Sequence, residues 1–186
     1  MMIEGLETVS RVPVPCMPNM FRGLDSSIFK IGKGVIDLQC GNRYKGYSYT
    51  DMINEAIGTN IKRGYIKSSV SLKHIGQSDM IAWFAHFDGK FRRSGDDGSY
   101  TNIFIDDMKI SERCNIEDVT IFIKKRSSCP PIRFVFERDP EHIGCANTCV
   151  FKGVFYCESV TVYRKGKQLI GESVLIRKPE IEAFIH

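Results

Sequence analysis

Short segments with apolar residues at alternate positions recur in this chain of 186 residues, most of them after residue 64. Such alternation is typical of strands that bury one face of a sheet, and it differs from the 3.6-residue period of an amphipathic helix. In one segment, Val119, Ile121 and Ile123 are separated by single residues that would point to the other face. The predicted strands cover residues 28–31, 35–38, 64–72, 80–87, 119–124, 132–137, 150–156, 159–164 and 169–177.

Two helices and one tight turn are also predicted. The first helix lies at about residues 50–58, where a Ser-x-x-Asp sequence resembles a capping box and Gly58 occupies the C-cap position. The second begins near Lys178, with a proline in its first turn. Residues 163–168, Tyr-Arg-Lys-Gly-Lys-Gln, indicate a hairpin turn between the last two strands. These elements predict a mainly antiparallel α+β fold, a strongly curved or partly closed β-barrel with one or two flanking helices.

The chain length fits one domain covering residues 1–186. We expect an irregular N-terminal arm over residues 1–27, because its prolines restrict the backbone and remove hydrogen-bond donors. A β-rich core is expected over 28–177 and the start of a C-terminal helix over 178–186. No apolar run approaches the roughly 18 residues of a membrane-spanning helix, and the N-terminus does not resemble a signal peptide. We therefore expect a cytoplasmic protein with no membrane contact and with its seven cysteines reduced.

Sequence motifs of common catalytic sites are missing from the chain. Four histidines and seven cysteines permit a Cys–His pair, but none of them lies in the local sequence of a known nucleophile. There is no phosphate-binding loop and no Gly-x-Gly-x-x-Gly fingerprint. We therefore assign no catalytic residue and no cofactor from the sequence.

Two groups of residues have suitable chemistry for a metal ion. Asp106-Asp107 and Glu117-Asp118 could hold a divalent cation in a small metal-dependent nuclease or nucleotide-processing enzyme, although no Glu-x-Lys follows at a suitable spacing. A zinc site is the other candidate, and its ligands would be His142, Cys145, Cys149 and Cys157. Buried thiols are the ordinary explanation of these cysteines, since the strong pattern of two Cys-x2-Cys knuckles is absent. We predict no metal.

The segment Lys90–Phe104 combines aromatic, cationic and carboxylate side chains in one predicted loop. Aromatic residues on a basic surface are the usual means of stacking an unpaired base while cations hold the phosphates. Carboxylates and amides supply acceptors and donors for the edge of an extruded base. The candidates are Phe91 and Tyr100 for stacking, Arg92 and Arg93 for phosphate, and Asp96, Asp97 and Asn102 for the base edge. A solvated hairpin tip is the alternative.

Residues outside this loop extend the same hypothesis. Trp83 lies on the preceding strand and could stack a base, and a place in the core is its alternative. Arg63 and Tyr65 follow the predicted helix, beside a glycine that permits close backbone approach to a phosphate or base. The run Lys124–Arg126 is expected to add non-specific attraction. The net charge of +4 agrees with a polyanionic partner without requiring one.

The order of these elements resembles a known family. A helix ending in glycine is followed by Arg-Gly-Tyr-Ile at residues 63–66, then by an aromatic strand and a charged Gly/Asp loop with a tyrosine. Residues 118–123 and 151–155, and a closing strand at 171–176, continue the likeness, which covers about residues 47–177. This order resembles the SRA-like and PUA-like domains that recognise modified DNA in modification-dependent restriction systems. The resemblance implies a curved barrel whose concave face accepts a flipped base, with cleavage carried out by a separate nuclease domain.

The sequence therefore predicts a binding module for double-stranded DNA, which recognises a modified, flipped base as the specificity domain of a restriction or defence system. Its expected partners are DNA and a nuclease domain or subunit. Two alternatives stay open at this stage: the small nuclease with paired carboxylates, and a β-domain that binds other proteins. Dependence on a divalent metal would distinguish the first alternative, and indifference to nucleic acid the second.

Overall fold

The computed structural model describes most of the second half of the chain and parts of the first. The described residues are 5–14, 30–31, 34–35, 38, 40–45, 69–71, 80–90, 92–94, 98–129, 131–138 and 148–182. Several predicted features lie outside them, namely the helix at 50–58, Arg63 and Tyr65, Phe91, Asp96 and Asp97, and His142 and Cys145.

The chain divides into two compact units, which we call unit 1 and unit 2. Unit 1 comprises Met1–Cys16, His86–Pro131 and Tyr156–Arg177. Unit 2 comprises Met17–Ala85, Ile132–Phe155 and Lys178–His186. The expectation of a single domain stays a prediction.

Strands make up most of the described structure. They are β1 (Glu7–Pro13), β2 (Lys30–Ile31), β3 (Gly34–Val35), β4 (Arg43–Lys45), β5 (Ser69–Ser71), β6 (Met80–Ala85), β7 (Arg92–Ser94), β8 (Gly98–Asp106), β9 (Lys109–Ile116), β10 (Ile132–Arg138), β11 (Thr148–Lys165) and β12 (Gln168–Arg177). The described helices are α1 (Val119–Ser127) and α2 (Pro179–Glu182).

The strands form a mixed sheet, to which β11 contributes residues of both units. In unit 1 the neighbouring strands follow the order β11-β12-β9-β8-β7, and β1 also pairs with β11. In unit 2 the order is β5-β6-β10-β11, and β4 pairs with β11. The β6–β10 pair is parallel, and the other pairs of defined register are antiparallel. Hydrogen bonds between the described strands do not close the sheet. The α+β class is confirmed, while strong curvature or partial closure stays a prediction.

Residues 119–124 form a helix instead of the predicted strand. The helix α1 begins after Asp118, whose Oδ1 accepts a hydrogen bond from the backbone N–H of Ile121 at 2.8 Å. This N-cap bond satisfies an N–H group that has no partner within the helix. The cations of Lys124–Arg126 also suit the negative end of the helix dipole. The strand prediction was wrong because it placed Ile121 on the buried face and Phe122 on the exposed face. In the helix Ile121 is 67% exposed and Phe122 is buried.

Three other stretches differ from the prediction. The strand β1 occupies part of the expected irregular arm, and its proline comes last, where the lost donor matters least. The expected loop over 90–104 contains the β7–β8 hairpin, because polar residues along β8 conceal its alternation. The strands predicted at 150–156 and 159–164 are one strand, β11, which continues through Gly153 at φ 118°.

Other predicted elements are confirmed. The strands β6, β10 and β12 lie within a residue or two of the predicted bounds. The turn between β11 and β12 contains Gly166 at φ 60°, a conformation that a tight hairpin requires and that glycine adopts without strain. The helix α2 begins at Pro179, and its Glu182 carboxylate accepts a hydrogen bond from the backbone N–H of Val154 at 2.9 Å.

The core of unit 2 consists largely of stacked phenylalanines. Phe84 of β6 stacks on Phe136 of β10 with ring centroids 4.6 Å apart, and Phe136 lies 5.1 Å from Phe151 of β11. All three side chains are fully buried. Each such aromatic pair contributes about 0.5–1.5 kcal/mol beyond the burial of its area.

The core of unit 1 lies between α1 and one face of the sheet. The Phe122 ring of α1 packs against Gly171 of β12 so closely that a Cβ at residue 171 would overlap the ring. Buried apolar residues of the strands complete this core, among them Ile110, Val160 and Leu175. A glycine is therefore required at position 171 because the helix approaches the strand backbone directly.

Candidate nucleic-acid interface

One end of the unit 1 sheet brings two hairpin turns together. Leu169, near the start of β12, pairs with Ile116 at the end of β9. Tyr100 of β8 pairs with Cys114, so the same register places Gly98 level with Ile116. The β11–β12 and β7–β8 turns therefore lie at the same end, on the two neighbours of β9. Because adjacent strands are about 4.8 Å apart, β8 and β12 are roughly 10 Å apart there.

Cations are concentrated on these two hairpins. Arg164, Lys165 and Lys167 are exposed around the β11–β12 turn, and Arg92 and Arg93 occupy β7, just before the other turn. We call these five residues the basic end of unit 1. Three carboxylates are described at the same end: Glu7, which pairs with Arg164, and Glu117 and Asp118, which follow β9. Of these, Asp118 is engaged as the N-cap of α1.

The register of β7 separates its two arginine positions. Arg92 pairs with Tyr100 and Arg93 pairs with Ser99. Successive strand positions alternate between the faces of a sheet, so positions 92 and 93 belong to opposite faces. Position 92 shares its face with Tyr100, which is half-buried. The sequence analysis assigned the same role to both arginines, whereas the register predicts different surroundings for each.

Asn102 of β8 binds the segment that follows β6 through hydrogen bonds to His86 and Gly89. Its side chain is only 2% exposed, and its Nδ2 donates a hydrogen bond to the carbonyl oxygen of His86 at 3.3 Å. Its backbone carbonyl accepts from the N–H of Gly89 at 3.1 Å. The ring of Phe87 packs against Phe104, with centroids 4.4 Å apart. Within the described residues, Asn102 Oδ1 has no hydrogen-bond partner although it is buried.

The face that carries Asn102 also holds a buried ion pair. Glu112 pairs with Asn102 across the strands, and Arg126 of α1 donates to its Oε2 at 3.1 Å. Burial lowers the pKa of Arg126, but the charge of Glu112 and the thiol of Cys114 raise it by more, so the net shift is upward. Ser173, opposite Glu112 on β12, is fully buried, and its hydroxyl has no partner in the described part of the chain.

The opposite face of the same strands carries a second polar cluster. Glu172 follows Gly171, so it points away from α1, and it is almost completely buried. Its carboxylate accepts hydrogen bonds from the hydroxyl of Ser111, from Nε of Arg113 at 2.8 Å and from the hydroxyl of Tyr163 at 2.9 Å. These three donors compensate the desolvation of the charge.

The pKa values of Glu172 and Tyr163, the hydrogen-bonded pair in this cluster, shift in opposite directions. Burial raises the pKa of Glu172, but hydrogen bonds from Ser111, Arg113 and Tyr163 lower it by more, so the net shift is downward. Burial and hydrogen bonding to Glu172 raise the pKa of Tyr163. At neutral pH the carboxylate is therefore charged and the phenol keeps the proton that it donates. The sequence analysis missed this cluster, although a glutamate inside a predicted strand is a signal that a partner is required.

Trp83 lies in unit 2 with a strongly buried ring. The side chain is 5% exposed, and the guanidinium carbon of Arg133 lies 4.6 Å from the ring centroid. A cation over the ring at this distance makes a cation–π contact. Burial and this contact favour the core as the place of Trp83, the alternative that the sequence left open.

One residue of each carboxylate pair has a local structural role, and the two pairs lie apart. Asp106 Oδ1 accepts from the backbone N–H of Met108 at 2.8 Å in the β8–β9 turn, and Asp118 caps α1. The eight residues of β9 separate the two pairs, a distance of roughly 25 Å at about 3.3 Å per residue. The two pairs therefore cannot hold one metal ion, and the described residues contain no group of three or more metal-ligating side chains. Of the zinc candidates, Cys149 and Cys157 are buried in β11.

Comparison with known proteins yields a partial similarity to a solved structure. No protein-family model matches the chain, and no curated protein matches it significantly. A solved structure described as the 5-hydroxymethylcytosine-specific restriction enzyme AbaSI aligns with a TM-score of 0.43 and 18% identity. The alignment covers 64% of this chain and 34% of the enzyme, so it involves about a third of the enzyme's length. A similarity this low carries no argument about function. None of the described helices is long and apolar enough to cross a membrane.

Proposed function

We propose that the chain is a DNA-binding module that recognises a modified base, and that it serves as the specificity part of a restriction system. The observation that carries the proposal is the basic end of unit 1, where two cationic hairpins lie roughly 10 Å apart on either side of β9. A two-stranded β-ribbon fits the major groove of a DNA duplex, and cations at its tip reach the phosphates that border the groove.

Base recognition in this proposal centres on β8. Tyr100 is half-buried and aromatic, which suits a residue that stacks on a base at the edge of a site. Asn102 enters through Oδ1, which has no partner among the described residues, while its Nδ2 donates to the carbonyl of His86. An unpaired amide oxygen accepts from the exocyclic amino group of a cytosine or adenine. Phe91, Asp96, Asp97, Arg63 and Tyr65 stay candidates for contacts from outside the described residues, and Trp83 is assigned to the core.

One observation favours a protein partner at the other end of the β8–β9 hairpin. Ile103, Ile105 and Met108 are exposed by 45%, 54% and 43% respectively. Clustered exposed apolar residues are typical of surfaces that contact other proteins. We propose that this surface binds the nuclease subunit or domain that a specificity module requires. The protein-interaction alternative is thereby combined with DNA binding and does not compete with it.

A binding screen tests the proposal directly. The affinity of the chain is measured for unmodified, cytosine-modified and adenine-modified duplexes of one sequence, each at low and physiological salt. We expect a preference for one modified duplex and a steep loss of affinity with salt, because phosphate contacts release counterions. Equal affinity for all three duplexes would contradict base recognition, and affinity independent of salt would contradict the phosphate contacts.

A variant pair then tests the role of β8. Tyr100→Ala should lose about 1–3 kcal/mol of binding to the preferred duplex, the usual contribution of one base–aromatic stack. Tyr100→Phe keeps the ring and removes only the hydroxyl, so it is the matched control and should bind as the wild type does. Thermal melts of both variants exclude a loss of fold as the cause.

A further inference from the structure

The guanidinium group of Arg113 is held on one side by Glu172, and its other side has no partner among the described residues. Its Nε donates to Glu172 Oε1 at 2.8 Å, and its side chain is 31% exposed. Its two terminal amino groups make no hydrogen bond with the described residues. An arginine oriented in this way presents a pair of N–H donors with a geometry that matches phosphate or carboxylate oxygens.

Glu172 provides the orientation. Its buried carboxylate is itself held by the hydroxyls of Ser111 and Tyr163, so it has little freedom to move. Thr161 is buried two residues before Tyr163 on the same strand, and it lowers the pKa of the Tyr163 phenol.

Thr101 adds a second donor next to Arg113. The two residues are direct partners across β8 and β9, so their Cβ atoms lie about 4.5–5.5 Å apart on the same face. Thr101 is 9% exposed, and within the described residues its Oγ1 is buried without a hydrogen-bond partner. A buried hydroxyl without a partner is costly, by about 1–3 kcal/mol, unless a ligand or water satisfies it.

We propose that Arg113 and Thr101 form a phosphate-binding subsite that takes one phosphate of the nucleic-acid backbone. The inference rests on the proposed function. Positions 93 and 99 lie on the same face as Thr101, toward the basic end of unit 1. A DNA strand held at the basic end would therefore reach the subsite by following this face. Arg113 then joins Arg63, Arg92 and Arg93 as a candidate phosphate contact.

Phosphate titration tests the subsite without DNA. With arginine labelled by nitrogen-15, the Nε–H signal of Arg113 is followed during addition of inorganic phosphate and, separately, of chloride at equal ionic strength. We expect a saturable change with phosphate alone, and an apparent affinity at least threefold weaker in Thr101→Val. That variant removes only a hydroxyl that has no partner in the described part of the chain, so the fold should be unaffected. The same response to both anions would overturn the subsite.

A second experiment, with duplex DNA, tests whether the bound phosphate belongs to the nucleic-acid backbone. Arg113→Gln should reduce the slope of log affinity against log salt by about one, as expected for a single lost phosphate contact. The control Lys109→Gln removes one charge at the other end of β9 and should leave the slope unchanged. An Arg113→Gln slope equal to that of the wild type would overturn the backbone-phosphate assignment. The proposed function would survive that result if substitutions at the basic end still weakened DNA binding.

Discussion

At the scale of residues, unit 1 is distinguished by polar side chains buried on both faces of its sheet. Glu172 illustrates what the sequence could and could not predict. Its position inside a predicted strand indicates a buried carboxylate in need of donors. The donors Ser111 and Arg113 lie 61 and 59 residues earlier in the chain, so only the β9–β12 register brings them to it. Tyr163 is nearer in sequence and could have been proposed from the predicted hairpin alone.

The network around Glu172 predicts a measurable stability loss. Glu172→Gln should lower the free energy of unfolding at neutral pH by about 1–3 kcal/mol, because an amide accepts weaker hydrogen bonds and its NH₂ group meets donors. The matched control is Glu180→Gln, a glutamate on an exposed site of α2. Chemical denaturation of the wild type and both variants measures the difference.

The difference in the free energy of unfolding between the wild type and Glu172→Gln should depend on pH in a defined way. The folded state lowers the pKa of Glu172, so the unfolded state binds more protons at acidic pH. The stabilisation is therefore complete above the unfolded glutamate pKa of about 4.3 and is lost as pH falls through the lower, folded value. The difference in the free energy of unfolding between the wild type and Glu172→Gln should therefore become smaller below about pH 4. A gap that widens on acidification would contradict the assigned charge state.

Gly171 gives a second test at this scale. Gly171→Ala should destabilise unit 1 by about 1–3 kcal/mol, because the new methyl group would overlap the Phe122 ring. Phe122→Ala removes the ring and costs stability on its own through the cavity that it leaves. The double variant should then be more stable than the sum of the two losses predicts. Strict additivity in denaturation experiments would show that the ring and the glycine do not meet.

At the scale of elements, strands with alternating or fully apolar sequences were predictable and polar ones were not. The bounds of β6, β10 and β12 follow from their apolar patterns. The strand β9, with the sequence Lys-Ile-Ser-Glu-Arg-Cys-Asn-Ile, carries charges on both faces and escapes the pattern. The helix α1 was mistaken for a strand because β-branched residues alternate in it, while its N-cap lies one residue before the apolar run.

The N-cap of α1 can be tested separately. Asp118→Ala should lower stability by about 0.5–2 kcal/mol, since the backbone N–H of Ile121 loses its partner. Asp118→Asn is the matched variant, because asparagine also caps helices, and it should restore most of the loss. Equal stability of the wild type and Asp118→Ala would support the strand that the alternation suggested.

At the scale of the whole molecule, the basic end of unit 1 depends on topology and not on any short motif. The sequence identified Arg92 and Arg93 as candidates and recognised residues 163–168 as a turn. Nothing in the sequence indicates that they lie together, because more than sixty residues separate Arg93 from the turn at 163–168. The two sites lie at one end of the sheet because β9 pairs with both β8 and β12. The assignments of Arg63, Tyr65, Phe91, Asp96 and Asp97 stay predictions.

The central claim is that the basic end of unit 1 contacts DNA, and a charge-matched comparison tests it most directly. Lys165→Ala/Lys167→Ala removes two exposed cations from the β11–β12 turn, and Lys124→Ala/Lys125→Ala removes two exposed cations from α1. Affinity for one duplex is measured for both double variants and the wild type across a salt series. The account predicts that the turn variant binds more weakly and that its salt slope falls by about two. The α1 variant removes charges that are expected to add only non-specific attraction, so it should lose less affinity than the turn variant. Equal weakening by both variants would contradict the claim.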